Sequence, residues 1–432
     1  MHKPGTEKKG SEMVEYKINR METTKLIGPM VDQHWREIRE AKDHGKLVAW
    51  GVTAPISMLF AAAMDNVKVH FYAGYSSYVA GRGGAADLLD TCQNVGYLRD
   101  SCSYLRAHVG MMHKYLRDEP IREEIRLPLP DFLVNGCACP EQANLIDAVA
   151  RRLNIPVVAV QLPSSHYEPL EDRIRFVERQ LKEYAIPQLE EICGRPYNYD
   201  RLSEMLLDLK NTATVRNECW DLMKHVPAPC TLWDYAVSMA PIIYMSGKPG
   251  NVEYYRKFKA ELEERVAQNR PAILPEEKYR IMWDGLLPWA HTGFYIRKFR
   301  SYGAVPIVGR YPMGMYPHPY DIDPDNPIRS LAVQAIRDLL GDLDPAIGLK
   351  FVREAAEDYS IDGIVFYQSR TCRIWDNGQQ TILNEMERTL GTPGIIVEGD
   401  MIDPVFHSEA QIETRLQALF EMIDARRKSP NH

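Results

Sequence analysis

No two of the eight cysteines form a C-x-x-C pair, which excludes the usual zinc-ribbon and ferredoxin spacings. Nor is there a G-x-x-x-x-G-K-[ST] run, so the chain offers no P-loop for a nucleoside triphosphate. No stretch approaches the ~20 apolar residues needed to cross a bilayer. The most apolar piece, Val52 to Met64, is shorter and reads as a helix packed on a sheet. There is no Lys/Arg block, and a net charge of −7 argues against a nucleic-acid footprint. Met1 to Glu12 is polar and lacks the apolar h-region of a signal peptide. A disordered tail and a cytoplasmic protein without membrane contact are therefore expected.

What is present is an ordinary globular composition, 45% hydrophobic and 26% charged over 432 residues. That length is too great for one compact core. Eight thiols in so long a chain do not make a disulfide framework; in a reducing cytosol they are buried, catalytic or metal-bound. Cys193, Cys219 and Cys230 fall in the charged helical middle and read as core or surface thiols.

The patterning predicts α/β architecture: two Rossmann-like parallel-sheet domains joined by a helical segment. The expected division is a tail over 1–22, an N-terminal α/β domain over 23–165, a helical segment over 166–275 and a C-terminal α/β domain over 276–428. Lys46 to Val52, Val67 to Tyr72, Phe132 to Val134 and Pro156 to Val160 read as the first set of strands. Tyr279 to Asp284, Ala304 to Val308, Gly363 to Tyr367 and Gly394 to Val397 read as the second. Ala80 to Ala86, Ala-Gly-Arg-Gly-Gly-Ala-Ala, lacks the third glycine of a dinucleotide fingerprint and reads as a flexible turn. Tyr311 to Pro327 has no periodicity; a loop of that length carries function or makes a surface contact.

Asp131 to Cys139, reading Asp-Phe-Leu-Val-Asn-Gly-Cys-Ala-Cys, places two thiols where a buried parallel strand ends. Ligands of open α/β sheets sit at that edge. Ile364 to Tyr367 followed by Cys372 repeats the arrangement. Two strand ends each delivering a cysteine point to a metal site; the competing reading is that buried cysteines act as small hydrophobes. Cys102 is expected in the first turn of a helix capped by Ser101 or Asp100, where amides favour a thiolate. His108, His113, His166, His291, His318 and His407 are scattered, and none is named as catalytic. Trp283, Trp289 and the aromatics around Tyr311 either line a ring pocket or belong to the core.

Taken together, Asp-Ser-Cys102-Ser-Tyr-Leu-Arg, Leu-Pro-Asp-Phe-Leu-Val-Asn-Gly-Cys-Ala-Cys139 and Gln-Ser-Arg-Thr-Cys372 resemble the benzoyl-CoA reductase and 2-hydroxyacyl-CoA dehydratase family. Asn251 to Tyr255, Glu276 to Arg280 and Glu398 to Pro404 add to the likeness, which is nearest to the larger cluster-bearing subunit of the ATP-dependent benzoyl-CoA reductases. The resemblance implies that Cys102, Cys139 and Cys372 hold one [4Fe–4S] cluster. Cys137 is the alternative to Cys139, because this chain has two thiols at the middle position. It also implies an acyl-CoA substrate, a second cluster-bearing subunit, and separate ATPase subunits that use ATP to supply low-potential electrons. The implied reaction is dearomatisation of benzoyl-CoA. The alternatives are a subunit of a 2-hydroxyacyl-CoA dehydratase working through a ketyl radical, a non-catalytic or zinc-bound partner subunit, and a homodimeric relative with an enlarged cluster using Cys92 and Cys137.

Overall fold

The computed structural model describes residues 15–52, 56–137, 139–163, 168–314, 317–337 and 345–428. The tail expected over Met1 to Glu12 and His166 lie outside the described residues.

The strands are β1 (Lys17–Ile18), β2 (Leu47–Gly51), β3 (Val67–Phe71), β4 (Phe132–Cys137), β5 (Val157–Gln161), β6 (Ile273–Leu274), β7 (Tyr279–Asp284), β8 (Ala304–Val308), β9 (Gly363–Ser369) and β10 (Gly394–Gly399). They form two four-stranded sheets, β3-β2-β4-β5 and β10-β9-β7-β8. Every pairing within these sheets is parallel. Such sheets are covered on both faces, so their strands read as unbroken apolar runs. Accordingly β7 and β8 are buried at every position and β4 at all but its last. Amphipathic crossover helices cover them, Pro140–Leu153 between β4 and β5, Thr292–Ser301 between β7 and β8, and Gln379–Leu390 between β9 and β10.

Numbered from its own first strand, each sheet has the order 2-1-3-4. The chain thus runs the same topology twice, as expected for two Rossmann-like units. This order places a switch point between strands 1 and 3, at whose carboxyl ends ligands bind. In the first sheet that is the β2/β4 crevice; in the second it is β7/β9. Gly285 follows β7 with φ +133, and a Cβ there would stand 2.2 Å from the Tyr367 carbonyl oxygen of β9. Only glycine allows the two backbones to approach so closely at the crevice.

Between the sheets the chain is helical, with Leu170–Gln180, Ile186–Cys193, Tyr199–Leu222, Leu232–Val237 and Asn251–Ala267. The one strand described here, β6, pairs antiparallel with β1. Two expectations need amending. Ala80 to Ala86 is not a free turn but the junction of helices Tyr72–Gly81 and Ala85–Asn94, with the reversal at Gly83 (φ +67). The stretch after Tyr311 includes the short helices Arg310–Gly314 and Pro319–Asp321. No described helix is long and apolar enough to cross a membrane.

Candidate functional site

Cys102, Cys139 and Cys372 occupy the same local position three times over, the residue immediately before a helix. The helices are Ser103–Leu116, Pro140–Leu153 and the single turn Arg373–Asp376. In each case the cysteine carbonyl accepts the first helical hydrogen bond, from Arg106 N–H at 2.9 Å, Ala143 N–H at 3.3 Å and Asp376 N–H at 3.4 Å. This corrects the expectation for Cys102, which is itself the capping residue rather than a member of the first turn. Its φ of −48 and ψ of 117 are not helical. Pro140, with no N–H to satisfy and a φ suited to a first helical residue, fixes the start of the second helix.

A residue in this position holds its side chain over the free amides of the first turn. The amides of Leu105 and Tyr104 lie against the Cys102 sulfur, those of Gln142 and Glu141 against Cys139, and that of Trp375 against Cys372. None makes a full capping hydrogen bond, but each pulls its thiol toward ionisation. Burial acts in the opposite direction and wins. The Cys102 thiol is pushed up to about 12, that of Cys372 stands well above its ordinary value, and that of Cys139 is also raised.

The three thiols also oppose one another's ionisation. Cys139 raises Cys102, Cys102 and Cys139 raise Cys372, and all three raise the phenol of Tyr72. They therefore lie within electrostatic reach of one another and of Tyr72. Cys137 takes no part in this coupling; its sulfur accepts from Asn135 Nδ2 at 3.3 Å and faces the Gln161 side chain. The structure thus gathers Cys139, and not Cys137, with Cys102 and Cys372. Cys92 is fully buried on the helix Ala85–Asn94 and is uncoupled from the three. Cys193, Cys219 and Cys230 are buried in the helical segment.

Among the described residues, no three His, Cys, Asp or Glu side chains could hold a metal ion. Three thiols that oppose one another's ionisation are, in their donor chemistry, the soft set that an iron–sulfur group would take.

Two hydrogen bonds tie the thiol-bearing segments together. The Cys102 amide donates to Glu141 Oε2 at 3.4 Å, two residues past Cys139, and the Ser103 amide donates to Thr371 Oγ1 at 3.1 Å, next to Cys372. A buried ion pair, Arg106 Nη2 to Asp403 Oδ2 at 2.6 Å, reinforces the second.

The chain belongs to the 2-hydroxyglutaryl-CoA dehydratase D-component family. The model of that family matches residues 52–423, which takes in all three thiols, the second sheet and the first sheet apart from β2. The chain is 26% identical over 424 residues to the alpha subunit of lactoyl-CoA dehydratase from Anaerotignum propionicum, covering 94% of this chain and 97% of that protein. It is 27% identical over 349 residues to a subunit of benzoyl-CoA reductase from Thauera aromatica, covering 78% and 79%. The alpha subunit of (R)-phenyllactyl-CoA dehydratase from Clostridium sporogenes is 25% identical over 393 residues, covering 90% and 93%. These relatives are enzyme subunits, two of dehydratases and one of a reductase.

Aromatic side chains stand on or beside the thiol-bearing helices. Tyr72 is buried and its hydroxyl accepts from Gln142 Nε2 at 3.2 Å. Tyr104, on the Cys102 helix, accepts from Trp289 Nε1 at 2.7 Å, which bridges from the second sheet. Tyr311 packs edge-on against Trp375, their ring centres 5.7 Å apart. Trp283, by contrast, is a core residue, fully buried between Tyr295 and Tyr367.

The histidines pair in ways no spacing could show. His70 and His108 meet Nε2 to Nε2 at 2.8 Å in the first sheet's core, and His291 stacks on His407 with centroids 3.7 Å apart. Sequence reasoning does not single out Thr371, Glu141 or Tyr72. For Thr371 the available signal is adjacency to a cysteine, for Glu141 its place two residues past one, and for Tyr72 its position at the carboxyl end of a strand.

Proposed function

We propose that this chain is the cluster-bearing subunit of an enzyme that delivers single electrons to a CoA thioester, with Cys102, Cys139 and Cys372 holding a [4Fe–4S] group. What supports this reading is that three helix-capping thiols oppose one another's ionisation. Crowded neutral thiols that resist ionisation individually become thiolates together once a cationic iron–sulfur core neutralises them. The amides of the three first turns would then serve as hydrogen-bond donors to sulfur, a principal means of tuning such a group. When bound, the cluster supplies low-potential single-electron chemistry. The protein's own part is to exclude water with Tyr72, Tyr104 and Trp289, and to fix the thiols through Glu141 and Thr371.

The reaction we favour is reduction of an aromatic acyl-CoA, with benzoyl-CoA as substrate, because phenol and indole rings stand on or beside the thiol-bearing helices. A second cluster-bearing subunit and an ATP-using electron donor would complete the enzyme. A soluble cytoplasmic setting fits that assembly. Dehydration of a 2-hydroxyacyl-CoA is the second reading; the lactoyl-CoA and phenyllactyl-CoA dehydratase alpha subunits match over more of their length than the reductase subunit does.

Anaerobic purification followed by iron and acid-labile sulfide analysis tests the cluster. A colourless protein carrying zinc instead would end this reading. Turnover by the full complex, with reduced activator and ATP, of benzoyl-CoA beside lactoyl-CoA decides between the two reactions.

A further inference from the structure

Asp400 follows directly after β10 and is almost wholly buried. Its Oδ1 accepts from the amides of Ile402 at 3.1 Å and Asp403 at 2.9 Å. Its Oδ2 accepts a short hydrogen bond from Thr371 Oγ1. Thr371 Oγ1 thus donates to Asp400 and accepts from the Ser103 amide, so one hydroxyl joins both segments. The Ser103 hydroxyl also faces the carboxylate. Burial pushes the Asp400 carboxyl above its ordinary range, while donation from Thr371, Ser103 and the amides of Asp403 and Ile402 favours the ionised form and works against that rise. Among the described residues Asp400 has no ion-pair partner, because the nearby Arg106 is engaged with Asp403.

This places a buried carboxyl without an ion-pair partner close enough to Cys102 to oppose its ionisation. The chain of bonds has a second consequence. Thr371 precedes Cys372 and Ser103 follows Cys102, so one hydroxyl held by Asp400 sets the separation of two thiols that arrive on different sheets.

We propose that Asp400 is a positioning residue for the thiol site: through Thr371 it fixes the spacing of Cys102 and Cys372, and its charge lowers the reduction potential of the group they hold. The inference rests on the cluster reading above. The physical basis is that net charge, burial and hydrogen bonding set cluster potentials, and a fixed anion favours the more positive, oxidised state.

The test uses the full chain, purified anaerobically, as wild type, Asp400→Asn, Thr371→Val and Thr371→Ser. Readouts are iron per chain, midpoint potential by redox titration, and the electron paramagnetic resonance spectrum of the reduced state. Asp400→Asn is expected to shift the midpoint to a more positive value. Thr371→Val keeps the charge but cuts the link, so an altered spectrum and faster iron loss to a chelator are expected. Thr371→Ser restores the hydroxyl and with it the wild-type spectrum. Iron-loaded Asp400→Asn with the wild-type midpoint overturns the proposal, as does Thr371→Val indistinguishable from wild type. If Asp400→Asn does not fold, the Thr371 pair decides. Wild-type protein without iron and sulfide removes the cluster reading and this inference together, a result distinct from iron-loaded variants that show no change.

Discussion

The two sheets share a strand order but treat their crevices differently. The first carries two of the three thiols, and its core holds aromatic rings and a neutral histidine pair, His70 and His108, between Trp35, Trp50 and Tyr75. The second carries one thiol, set among buried carboxylates. There Arg310 forms a bidentate pair with Asp284, through Nε at 2.8 Å and Nη2 at 3.0 Å. Asp376 lies nearby, its carboxyl pushed up to about 8 by burial. A duplicated frame thus supplies two mouths of opposite character. The shared topology accounts for where the thiols stand, and the differing linings divide the work, one wall apolar and the other charged.

The sharpest way to break the comparison is to remove thiols one at a time. If both mouths hold one group, Cys102→Ala, Cys139→Ala and Cys372→Ala each lose nearly all iron, although the residues lie on different sheets. Cys137→Ala, at the last position of β4, keeps it. Iron and sulfide analysis of anaerobically prepared variants checks this. Retention by Cys372→Ala would mean that the second sheet contributes nothing to the site.

The charged mouth makes a stability prediction next in size. Arg310→Met leaves Asp284, fully buried, without its partner, and breaking such a pair costs about 3–5 kcal/mol. The matching change in the first domain, Arg82→Met, breaks a half-exposed pair with Asp32 and should cost under about 1 kcal/mol. Urea denaturation of both variants measures the difference. Equal losses would show that the second mouth's ion pair is no more important than a surface contact.

Much of this is legible in the sequence, because parallel strands buried on both faces leave unbroken apolar runs and glycine or cysteine marks where they stop. β4 and β9 announce themselves in this way. The three thiols are legible as a set through the family likeness, which leaves Cys137 and Cys139 as alternatives. Residues two apart sit on the same side of a continuing strand, so spacing alone does not part Cys137 from Cys139. What sequence could not show is contact between segments far apart in the chain. Ser103 and Thr371 are separated by 268 positions, and nothing in either neighbourhood points to the other. The same holds for His70 with His108, whose pairing depends on how β3 packs against the Cys102 helix.

That histidine pair sharpens the comparison through pH. Burial holds the pKa of His108 down to about 4, whereas in the unfolded chain it titrates near about 6.5. Above that value both states are neutral and the contribution is fully present. As pH falls from there toward the folded value the unfolded state takes up a proton that the folded core refuses, so stability declines. For a shift of this size the loss is on the order of 3 kcal/mol. Urea midpoints at about pH 7.5 and about pH 5 should differ in the wild type, and by less in His108→Gln. An unchanged pH dependence in that variant would assign the acid sensitivity elsewhere.

The smallest effect concerns the two ends of a single helix. Pro140–Leu153 presents Cys139 at its start and an exposed i,i+4 pair, Asp147 with Arg151, near its end at 2.7 Å. Both partners of that pair are largely in water, so solvent screens their attraction and ordering two long side chains offsets most of what remains. Arg151→Ala should therefore cost only about 0.3–0.5 kcal/mol and leave iron content as in the wild type. Because the helix is one rigid element, a large effect at its far end would mean that strain there reaches the thiol. A small one confines the function of this helix to its first turn, where Glu141 receives the Cys102 amide and Gln142 holds Tyr72.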